Sequence, residues 1–110
     1  MPTTHQPTTD ALRTIQAALR TSDYGAIRCA LAPLRNLAAV QDVLGCLGYV
    51  RLYNVPSGIA LKRRFMCDVA LDAADPEAAA REMGVGEHMA AARERRAALQ
   101  AALGRAGSWS

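Results

Sequence analysis

The chain has 110 residues, one ordinary domain's worth, and is 51% hydrophobic and 21% charged, a balance that suits a packed globular core rather than a chain disordered throughout. Aromatic residues make up only 5%, so the core is aliphatic and favours Ala-, Leu- and Val-packed helices over a β-sandwich or barrel. The net charge is +3, and among 13 cationic residues only Lys62 is lysine, which with 23 alanines reads as a GC-rich bacterial or phage coding bias, although arginine also recognises phosphates and guanine edges better than lysine.

No apolar run reaches the roughly 18 residues of a transmembrane helix, and Met1–Thr9 lacks the basic and apolar regions of a signal peptide. The sequence therefore reads as cytoplasmic, with no membrane partner. Cys29, Cys46 and Cys67 form an odd set without a C-x-x-C pair, which argues against a disulfide framework or a zinc site. They read as small hydrophobes in a reducing compartment.

Residues 1–9 are rich in Thr and Pro and predict a flexible arm. Thr9 or Asp10 then caps a first helix over 11–20, in which Leu12, Ile15 and Leu19 form one apolar stripe. Ser22 or Asp23 caps a second helix from Tyr24 to about Leu31, which Pro33 stops. A third runs from about Asn36 to Leu47, with Leu37, Val40, Val43, Leu44 and Leu47 on its apolar side and Gly48 as a left-handed stop. Its stripe is expected to pack against Leu12, Ile15 and Leu19.

The strand formers Tyr49–Val55, the turn Pro56-Ser57-Gly58 and the returning run Ile59–Val69 predict a β-hairpin over 49–70. Asp75-Pro76-Glu77 opens a further helix with a cap, a proline at the first helical position and an early acid. Gly84-Val85-Gly86 interrupts it before a longer helix from about Glu87 to Leu103. The predicted fold class is mainly α with one β-hairpin (α+β), in a single domain over 10–104 followed by a loose tail at 105–110.

Catalytic motifs are missing. Glu87-His88 has no second ligand at metal-binding spacing, and Gly84-Val85-Gly86 lacks the preceding strand and the Lys-Ser/Thr of a phosphate loop. No serine or cysteine stands beside a base in a recognisable arrangement. The sequence predicts a non-enzyme with no cofactor and no metal.

Within Ala26–Val50, the small Ala30 stands ten residues before the apolar Val40, with Val43 at the next packing position, and the segment closes on Leu44-Gly45-Cys46-Leu47-Gly48-Tyr49-Val50. Over residues 10–70 this order resembles the winged helix-turn-helix of bacterial or phage regulators. The resemblance implies a small DNA-binding transcriptional regulator in which helix 36–47 and a basic wing meet duplex DNA. Asn36 and Gln41 would read base edges, while Arg28, Arg35, Arg51, Lys62, Arg63 and Arg64 would hold phosphates. It further implies a homodimer through the last helix, with Met89, Ala92, Leu99 and Leu103 at the interface.

The outer face of the third helix also carries Ala38, Ala39, Asp42 and Gly45, which read bases poorly. Strand alternation would moreover separate Lys62 and Arg64 from Arg63 on opposite faces of the wing. Both points favour the alternative, a non-catalytic protein-binding module such as a phage or mobile-element inhibitor or adaptor.

Overall fold

A computed structural model describes residues 6–49 and 55–107, with side chains from 8 to 49 and from 55 to 104. Among the described residues six helices follow in order: α1 Gln6–Thr21, α2 Tyr24–Leu31, α3 Leu37–Cys46, α4 Gly58–Leu71, α5 Pro76–Met83 and, after a 3-10 turn at Gly86–His88, α6 Met89–Gly107.

Local signals set most of the boundaries. Asp23 caps α2 by accepting a hydrogen bond from the Ala26 amide (3.1 Å), and Asp75 caps α5 through Ala78 (3.2 Å) with Pro76 beside it. At the end of α3, Gly48 adopts φ 81, and the Tyr49 and Gly48 amides donate back to the Leu44 and Gly45 carbonyls, both at 3.0 Å. This closes the helix with a Schellman motif. The first helix starts at Gln6, ahead of the expected caps Thr9 and Asp10, because Pro7 is tolerated in a first turn whose amides are unbonded anyway.

The hairpin expected over 49–70 is overturned, and no strand occurs among the described residues. Its first arm lies largely in 50–54, outside the described residues, and its second arm is the helix α4. The fold class is therefore mainly α, not α+β. The reason lies in the residues themselves. Ser57 is not a turn residue but the cap of α4, accepting from the Ala60 amide at 3.2 Å. From Ala60 to Arg64 the run is built of strong helix formers, and β-branched residues occur only near the ends, at Ile59 and Val69. A strand would have buried Ile59 with Leu61 and Phe65, whereas the helix leaves Ile59 65% exposed and buries Leu61, Phe65 and Ala70.

The fourth helix packs on α2, α3, α5 and α6. Its first turn sits so close to α3 that a Cβ at Gly58 would lie 3.0 Å from the Asn36 carbonyl carbon, so any larger residue would push the two backbones apart by a few tenths of an ångström. Of the expected α1–α3 stripes, Ile15, Val40 and Leu44 are fully buried, Leu12, Leu37 and Leu47 are half-buried, and Leu19 is exposed. On the other side of α4, Arg96 ties α6 to its C-terminal end, with guanidinium nitrogens 2.7 Å from Asp72 and 3.8 Å from Asp68. The Tyr49 hydroxyl donates to Asp68 at 2.6 Å, and the Tyr49 ring meets Phe65 edge-on at 5.2 Å. No helix among the described residues is long and apolar enough to cross a membrane.

Candidate functional site

Helical periodicity gives α4 a face that a strand would not have. Ile59, Lys62, Arg63 and Met66 are spaced three, four and seven apart and form one stripe. On α2, Arg28, Leu31 and Ala32 repeat the pattern. The two stripes face a common cleft of about 340 Å³, which Met83 and Gly84 of the α5 end, Val85 and His88 complete. That volume lies within the usual range for ligand pockets. Arg28, Lys62, Arg63 and His88 line it, and among the described residues no carboxylate does, although Glu87 stands 3.7 Å from His88 Nε2.

The three cations differ in what they do. Lys62 donates from Nζ to the Leu34 carbonyl at 2.9 Å and to the Leu31 carbonyl at 3.2 Å, so it caps the C-terminal end of α2 and is half-buried there. The Arg28 and Arg63 guanidiniums have no hydrogen bond or ion pair among the described residues, whereas Arg93 pairs with Glu77 and Arg96 with Asp68 and Asp72. Two unneutralised guanidiniums on different helices therefore address the same cleft. Gly84 sets the place of one of them. It adopts φ 74, and a Cβ there would stand 3.1 Å from Arg28 Cζ and 3.2 Å from its Nη1. The guanidinium rests over bare backbone.

The remaining expected contacts lie elsewhere. Asn36 is the N-cap of α3, its Oδ1 accepting from the Ala39 amide at 2.8 Å, so the expected base reader is engaged with its own helix. Gln41 is half-buried and Arg35 is exposed in the α2–α3 turn. Arg51 lies outside the described residues. Arg64 is half-buried on α4, has interactions of its own and does not line the cleft. With the second hairpin arm replaced by α4, Lys62, Arg63 and Arg64 do not form a wing.

Of the residues assigned to a dimer interface, Met89 and Ala92 are each 1% exposed and belong to the chain's own core. Leu99 is half-buried and Leu103 exposed. Among the cysteines, Cys67 is buried, and that burial pushes its thiol up despite the nearby Arg95 and Arg63; Cys29 and Cys46 are exposed. No group of three or more His, Cys, Asp or Glu suited to a metal occurs among the described residues.

The apolar members of the cleft, Ile59, Met66, Met83 and Val85, escape a sequence reading that takes 59–69 as a strand. For Ile59 and Met66 the signal that finds them is the three-four spacing of Ile59, Lys62, Arg63 and Met66; no spacing within one segment brings Met83 and Val85 to them. Comparisons with protein-family models, curated proteins and solved structures return no match.

Proposed function

We propose that the protein is a non-catalytic protein-binding module whose α2–α4–α5 cleft engages an acidic segment of a partner protein. The observation that carries this reading is the pair of Arg28 and Arg63 guanidiniums, both unpaired among the described residues, at a cleft that no described carboxylate lines. Unneutralised guanidiniums attract carboxylates over distance and hold them with forked hydrogen bonds on arrival. A photo-crosslinking residue at Ile59, which is 65% exposed at the cleft, tests it in cells of the native host. The expected adduct is a protein crosslinked through an acidic peptide, and it disappears when Arg28 and Arg63 are changed to Glu. Nucleic-acid adducts, or adducts indifferent to that charge reversal, overturn the reading.

A second reading is duplex-DNA binding by a regulator through α2 and α3 without a wing. It is favoured by Val40 and Val43 being buried and Ala30 half-buried, as the helix-turn-helix resemblance requires. It predicts salt-dependent duplex binding that weakens on Arg35→Ala, with the log–log salt slope falling by about 0.9 because one phosphate is no longer neutralised. No duplex binding at low salt ends it.

A further inference from the structure

The cleft is not merely cationic. It is also lined by aliphatic and thioether side chains, with Ile59 exposed and Met66 half-buried at its surface over a buried floor of Leu31, Met83 and Val85. Ile59 is the most exposed of the chain's large hydrophobic side chains among the described residues, and it stands on the same helical stripe as Arg63. Methionine side chains adapt to varied apolar shapes. A purely polyanionic partner would leave this apolar surface wet.

We infer that the cleft takes one aliphatic side chain of its acidic partner segment against this surface while Arg28 and Arg63, from opposite helices, hold carboxylates flanking it. The inference rests on the acidic-partner reading above and adds an anchor to it. Recognition then has two parts of different physics. The arginines supply attraction and orientation that salt screens, and the anchor supplies burial that salt does not weaken. Arg28 becomes the specificity-determining residue, and Gly84 the positioning residue beneath it. A Cβ at 84 stands 3.1–3.3 Å from the guanidinium atoms, so alanine there shifts the guanidinium by a few tenths of an ångström and strains a left-handed backbone without altering charge.

A displayed library of randomised 12-residue peptides, selected on the full chain, tests this. The expected consensus places Asp or Glu around one fixed aliphatic position. In the tightest such peptide, changing that residue to Ala is expected to weaken binding about tenfold, and the uncharged Ile59→Ser in the protein is expected to do the same. Gly84→Ala is expected to weaken it several-fold. Gly86→Ala, whose Cβ meets nothing within 4 Å, leaves it unchanged. Circular dichroism and a urea midpoint establish that each variant folds.

Acidic enrichment without a fixed aliphatic position overturns the anchor and leaves the acidic-partner reading standing. Selected peptides with no acidic bias overturn both. Equal losses from Gly84→Ala and Gly86→Ala remove the positioning role of Gly84.

Discussion

A single side chain takes its chemistry from the neighbour it meets. Lys62 is one of three adjacent cations, and its Nζ donates to the carbonyls of Leu31, the last residue of α2, and of Leu34 in the turn after it. Lys62→Met is expected to lower stability by about 1–2 kcal/mol, because a charged hydrogen-bond donor is removed and helix carbonyls remain in a half-buried place. Arg63→Ala should stay within about 0.5 kcal/mol, as expected of a side chain without partners. Paired urea melts check the contrast. Cys67 gives a pH prediction. Its thiol ionises less readily folded than unfolded because burial penalises the thiolate, so the folded state binds more protons at alkaline pH. Stability is complete below the ordinary thiol range and falls as pH rises through and above it. Urea midpoints between neutral and alkaline pH should show a decline that is smaller in Cys67→Ala, whatever that variant's baseline.

Among the helices, capping decides between competing readings. Asn36 and Ser57 each accept from the amide three residues on and fix the starts of α3 and α4. Asn36→Ala is expected to cost about 1 kcal/mol and Asn36→Ser far less, measured as thermal or urea stability. A residue kept free to read bases would show no such order. Leu44, fully buried between its neighbours, should cost roughly 2–5 kcal/mol on truncation to Ala. An unchanged denaturation midpoint would place the α3 stripe outside the core. The α4 segment shows why a hairpin reading is overturned. Pro56-Ser57-Gly58 reads equally as a tight turn or as a helix cap, and the residues after it decide. Their propensities are helical, and their burial follows helical spacing.

Across the whole chain, the core consumes surface that the sequence left available for assembly. With Met89 and Ala92 buried, Leu99 and Leu103 are the two of the four expected interface residues that remain accessible on the described part of α6. Sedimentation at micromolar concentration is expected to give the 11.7 kDa monomer. A dimer that Leu103→Glu dissociates would restore α6 as an interface. Packing also creates what no segment contains, since α2, α4 and α5 meet around one cleft and bring together cations 35 positions apart in the chain, at 28 and 63.

Features governed by neighbours a few residues apart were legible in the amino-acid order alone. The α2 boundary at Asp23, the α5 start at Asp75-Pro76, the stop at Gly48 and the inward faces of Ile15, Val40 and Leu44 belong to this class, because caps, left-handed glycines and apolar stripes act within one or two turns. The state of residues 58–71 and the place of their charges waited on packing. A stretch with apolar residues at both two- and four-residue spacings satisfies either a strand or a helix until its partners are known. Once α2, α3, α5 and α6 surround it, the helix buries Leu61 and Phe65 together and turns Lys62 and Arg63 to the same side. Burial against four neighbours is a non-local quantity, and so is the cleft that it leaves.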